Sequence, residues 1–190
     1  MRSSALVAIL LLTTPNGWAD HLPRAEREFV AAAVRHVAAN SGTQRPVVLL
    51  TRTDKWLPAA QPPDEPHAGI PADVWEQQQV KITRELRAAN QAEYDLSDLP
   101  AIPGVVTYPR HQFEVESESP AEFAKLVARL GAEPVVIKVS RPHLDAAGGS
   151  GIVAVHSLSS WTGCGSFQLY GGVLSGGQWT FRTTGGSIIW

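Results

Sequence analysis

The chain has 190 residues, with 16 Lys plus Arg against 18 Asp plus Glu and a formal charge of −2 at neutral pH. That balance, with no basic stripe, argues against nucleic acid as a partner. One cysteine in the whole chain excludes an internal disulfide, so stability has to come from packing.

Residues 1–19, MRSSALVAILLLTTPNGWA, combine Arg2, an apolar run from Ala5 to Leu12, and small residues Gly17 and Ala19 placed three and one before Asp20. This is the pattern of a secretory signal peptide cut before Asp20. Its apolar run is too short to cross a hydrocarbon core of about 30 Å, and no cysteine sits at the cut to accept a lipid. The expected mature protein, 20–190, is one α+β domain, periplasmic or secreted, with no membrane insertion after signal cleavage. Roughly 170 residues suffice for a single core.

Pro23 to Asn40 reads as an amphipathic helix, with Glu26 and Glu28 near its start and Phe29, Ala33 and Val37 at four-residue steps. PVVLLT, 46–51, is a short buried strand. From 54 to 71 the chain carries Pro58, Pro62, Pro63, Pro66 and Pro71, which block helix and ladder alike, so a surface loop is expected. Asp73 caps a second helix, with Val74, Trp75, Ile82 and Leu86 toward the core and Asn90 as its stop. Val105, Val106, Tyr108, Phe113 and Val115 suggest extended structure across 101–116, interrupted by Pro109.

Ser119-Pro120-Ala121-Glu122 is a capping box with proline at the first helical position, and Gly131 ends the helix 120–130 that it opens. In the last third, Val135, Ile137 and Val139 alternate with Val136, Lys138 and Ser140, a strand with one face buried. DAAGGSG, 145–151, is a turn. Strands follow over 152–158, 167–174 and from Trp179, with Gly176-Gly177 as a tight hairpin loop and Trp179 and Phe181 inward. The pattern predicts about three helices packed on one face of a C-terminal antiparallel meander sheet.

The last fifty or so residues carry a Ser-Arg dipeptide (Ser140-Arg141), Leu144 and Asp145 before a turn, Gly163-Cys164-Gly165, an aromatic-rich strand from Phe167 to Tyr170, and Gly177-Gln178-Trp179. This run resembles the C-terminal signature of an uncharacterised family of exported bacterial proteins, with looser similarity from Trp75 to the region of Asn90. The resemblance implies a fold type and export, and no activity. It also implies a second cysteine shortly before the corner, but Leu158, Ser159 and Ser160 stand here, so that disulfide is missing.

Cys164 with His156 or His143 is the candidate catalytic pair, because a thiol nucleophile needs a base within hydrogen-bond reach. A tight WTGC loop would set Ser160 opposite Gly165 and His156 opposite Leu169, roughly four rungs from Cys164 and out of reach, and only a longer loop that shifts the pairing would bring the two close, as diagonal neighbours. The glycine-rich segments around Cys164 and at 148–151 read as turns, because a phosphate loop leads into a helix and these lead into strands. Arg141 is a candidate binding residue, against the simpler reading that it pairs with a carboxylate. Trp56, beside Lys55 in the proline-rich loop, is a candidate binding anchor, against a tryptophan folded over the core. His21, His36, His67 and His111 have no zinc-ligand spacing, so neither metal nor cofactor is expected.

These observations lead to an exported, non-catalytic binding or accessory protein of the bacterial cell envelope, whose partner is an envelope or extracellular protein or a small ligand. One alternative is a small cysteine-dependent hydrolase or thiol enzyme using Cys164 with His156 or His143. Another, from fold analogy, is an extracellular protease-inhibitor-like module.

Overall fold

A computed structural model describes residues 20–41, 44–55, 81, 84–158, 165–184 and 188–189. The leader, Trp56 and most of the proline-rich segment, the start of the second helix with Asp73 and Trp75, and Cys164 lie outside the described residues.

Helix α1 (Arg24–Asn40) follows Pro23, whose φ of −52° suits a helix entry, and buries Phe29, Val30, Ala31, Ala33, Val34 and Val37. Strand β1 (Val47–Leu50) is buried at every position. Residues 84–89 are helical and stop at Asn90, whose side chain donates to the Leu86 carbonyl at 2.7 Å. Then come β2 (Val105–Tyr108), α2 (Arg110–Glu116), α3 (Pro120–Leu130), β3 (Val135–Val139), β4 (His143–Leu144), β5 (Ser150–Leu158), β6 (Gly165–Ser175), β7 (Gln178–Thr183) and β8 (Ile188–Ile189).

The chain is an α+β domain on one mixed sheet. Its strand order is β2-β1-β3-β5-β6-β7, with β4 against β5 and β8 against β6. β1 runs parallel to β2 and β3, and every pairing from β3 onward is antiparallel. The expected C-terminal strands are therefore present, but they extend a parallel trio that the sequence reading did not contain.

Helices cover both faces, not one. α1 packs through Phe29, Val30 and Val34 on Val47, Leu49, Ile137, Val139, Val153 and Val155. Phe113 of α2 with Phe123 and Leu126 of α3 packs on Val48, Leu50 and Val136. Leu86 packs on Ile152, Ala154, Phe167 and Leu169. Successive strand residues point to opposite faces, so the first group lies on one side of the sheet and the other two on the reverse. The cause is the parallel pairing, since parallel neighbours need a crossover, and a crossover carries its helices over a sheet face. For the same reason β3 is covered on both sides, with Val136 only 3 % exposed on one face and Ile137 0 % on the other.

Segment 101–116 is extended as expected over Val105–Tyr108 and departs from expectation only after it. Pro109 starts a helix there, with the Phe113 amide donating to the Pro109 carbonyl at 2.9 Å. The capping box is as expected, with Ser119 Oγ accepting from the Glu122 amide at 3.3 Å and Gly131 at φ 80°. Gly176 and Gly177 form the hairpin turn at φ 58° and 78°, the left-handed pair that a two-residue hairpin loop requires.

The β5–β6 register differs from the tight-loop expectation. Leu158 faces Gly165 and His156 faces Phe167, leaving 159–164 to connect the strands. This register sets Gly172 opposite Gly151, and a Cβ on Gly172 would lie 2.8 Å from the Phe29 ring. The expected register would put Leu174 where Gly172 sits, against that ring.

Candidate functional site

Two clusters of polar side chains stand on the sheet face opposite α1, separated by the helical segment 84–89. The first is the corner around His156. After β1 the chain is clamped by Leu96 donating to the Thr51 carbonyl at 2.9 Å and Thr53 donating to the Tyr94 carbonyl at 3.0 Å. The Asp54 amide then donates to Val139 at 2.7 Å, which fixes Asp54 at the end of β3. Its carboxylate lies 3.8 Å from His156 Nδ1, and both side chains are 13 % exposed. Lys138 stands directly across from His156.

A Cβ on Gly165 would come within 2.6 Å of the Ser157 carbonyl and 3.5 Å of His156 Nε2. Close approach of the backbone thus requires glycine after Cys164, and it seats the His156 ring against that residue. The sequence reading held His156 four rungs away. The register sets His156 opposite Phe167, two residues from Gly165 instead of four; Cys164 itself lies outside the described residues.

The second cluster lines a cleft of about 680 Å³ over β5, β6 and β7. Its floor is Ile152, Gly171 and Val173, and its polar rim includes Glu85, His143, Asp145 and Arg182. Glu85 holds the rim together, 3.5 Å from His143 Nε2 and 3.9 Å from Lys81 Nζ. Asp145 accepts from Ser150 Oγ and the Gly149 amide, each at 2.8 Å, and the Ser150 bond foremost keeps its carboxyl below the ordinary range. His143 faces Ile152 while Gly165 faces Leu158, six residues away on β5, about 20 Å at strand rise. His143 therefore lies at the far end of β5 from Gly165.

Arg141 belongs to neither cluster. Its guanidinium donates to both Glu26 oxygens, at 2.7 and 2.8 Å, and to Tyr94 OH at 2.7 Å. Asn90 brackets its backbone, accepting from the amide at 2.6 Å and donating to the carbonyl at 2.9 Å. Ser140 Oγ accepts from the Ala154 amide at 3.0 Å, and Trp179 meets Phe29 edge-on at 4.7 Å. Ser140, Arg141, Gly165 and Trp179 thus pack and join elements of the fold.

Asp54, Lys138 and Glu85 were not singled out from sequence. Asp54 opens the proline-rich stretch and Glu85 lies among the polar residues of its helix, so neither position carried a signal. Among the described residues no group of three or more His, Cys, Asp or Glu converges to hold a metal, and no helix is long and apolar enough to cross a membrane. No protein family, curated protein or solved structure matches the chain.

Proposed function

We propose that the chain is an exported, non-catalytic binding or accessory protein of the bacterial cell envelope, which takes a small ligand or a segment of an envelope protein into the cleft rimmed by Glu85, His143 and Arg182. The observation that carries this reading is the cleft itself, apolar at its floor and ringed by a few converging charged groups. The leader-like 1–19 and the signature resemblance support export. Two measurements test it. The N-terminus of the exported protein should begin at Asp20. Envelope-extract fractions titrated into labelled protein should shift the amides of Gly151, Gly171 and Thr180, and Glu85→Lys or Arg182→Glu should abolish the response while Cys164→Ser leaves it intact. Shifts that avoid the cleft altogether would sink the reading.

A second reading, a thiol enzyme, is favoured by one observation. The Cβ site of Gly165 lies 3.5 Å from His156 Nε2, and the peptide bond holds the Cys164 Cα only about 3.8 Å from that of Gly165. Cys164 would be the nucleophile, His156 its base and Asp54 the group that orients the imidazole. Thiol labelling against pH separates the two readings. An apparent pKa well below that of free cysteine, restored by His156→Gln, supports the enzyme, and an ordinary value removes it. The inhibitor-like alternative rests on fold analogy alone, and no specific observation favours it.

A further inference from the structure

β7 is the last strand of the sheet order, and among the described residues its strand partner is β6 alone. Its far edge thus offers backbone donors and acceptors to a further strand. Natural edges are blunted by Lys, Pro or inward charge, whereas QWTFRT carries only Arg182. On the α1 side, this edge borders a groove of about 800 Å³ between α1 and the β6–β7 hairpin, lined by Ala32, Ala39, Leu174 and Trp179 with Glu28 and Arg35. Leu174 is 40 % exposed there.

We infer that this face joins two copies of the chain, β7 pairing antiparallel with β7 of the other copy about a twofold axis so that the two grooves close on each other. Three features favour a second copy over a foreign strand. First, α1 runs alongside β7, with Phe29 against Trp179 at 4.7 Å and His36 against Phe181 at 5.6 Å. The midpoint of Glu28 and Arg35 therefore lies level with the middle of β7, and one axis serves helix and strand together. Second, that axis sets Glu28 toward Arg35 of the other copy and Arg35 toward its Glu28, two complementary contacts from one helix face. Third, registers centred on Thr180, on Phe181 or between them set Arg182 opposite Gln178, Thr180 or Trp179, so no like charges meet.

Sedimentation equilibrium under reductant, which removes any dimer linked through Cys164, tests the inference. The full mature chain should dimerise with a dissociation constant on the order of 1–100 μM, as suits a small interface. Glu28→Arg and Arg35→Glu should each weaken it about tenfold, since each turns two attractive contacts into repulsive ones. The double swap should return it to within about threefold of the parent. Glu28 and Arg35 are exposed, so circular dichroism should find all three variants folded. A monomer up to about 200 μM, a dimer indifferent to both single swaps, or a double swap that restores nothing would each overturn the inference.

Discussion

Arg141 sends its guanidinium inward, clamped on Glu26 and lying 4.5 Å over the Tyr94 ring. Its side chain is 25 % exposed and that of Glu26 15 %. Removing the cation leaves a mostly buried carboxylate without its partner, which is the costly way to break such a pair. Arg141→Met should lower stability by about 2–4 kcal/mol in urea denaturation, and adding Glu26→Gln should recover part of that loss. Gly172 is constrained by sterics instead. A methyl there would meet Phe181 at 2.7 Å and Phe29 at 2.8 Å, both ring atoms packed in the core. Gly172→Ala should cost about 1–3 kcal/mol, and Phe29→Leu in the same chain should absorb some of the overpacking. The sequence reading of Arg141 as the partner of a carboxylate holds, though it could not name Glu26, 115 positions away; Gly172 was not singled out, because the Phe29 ring that constrains it lies far off in the sequence.

Glu116 ties β2, α2 and α3 together. Arg129 and Tyr108 donate to it, as does Gln112 at 3.0 Å, and these bonds, Arg129 first, hold its carboxyl at about 2, down from 4.5. A folded-state pKa lowered in this way stabilises the fold in full above the ordinary carboxylate range and progressively less as pH falls toward 2. The parent should therefore lose stability between about pH 5 and pH 2 more steeply than Glu116→Gln, read from urea midpoints across that window. Legibility varied by element for a local reason. α3 is readable because Ser119, Pro120, Glu122 and Gly131 mark both its ends within the segment itself. α2 is not, because Val105, Val106, Tyr108, Phe113 and Val115 give a row of apolar residues that suits a strand until Pro109 is seen to open a helix. The register of β5 on β6 was illegible for a different reason, being fixed by Phe29 of α1 lying over Gly172, a contact no strand sequence contains.

At the scale of the whole molecule, the α+β class and the C-terminal strands were legible, and the layering was not. VVLL in β1 and VVIKV in β3 are consistent with burial on one face or on two, and parallel pairing is a property of the crossover rather than of the strands. Both candidate sites follow from that layering, since the helices on the face opposite α1 leave His156 at one end of β5 and the His143 cleft at the other. Adjacent residues of β3 distinguish a two-sided sheet from a one-sided one. Ile137 packs with the α1 layer and Val136 with Phe123 and Leu126 of α3, each within a separate core. Ile137→Ala should cost about 3–4 kcal/mol and Val136→Ala about 2–3 kcal/mol, each as a cavity in a closed layer. A sheet open to water behind β3 would make the second substitution nearly neutral. The two layers share one sheet, so both variants should still unfold in a single transition, with far-UV circular dichroism and tryptophan fluorescence coinciding. A near-neutral Val136→Ala, or probes that separate when either layer is weakened, would mean that the two faces of the sheet do not act as one core.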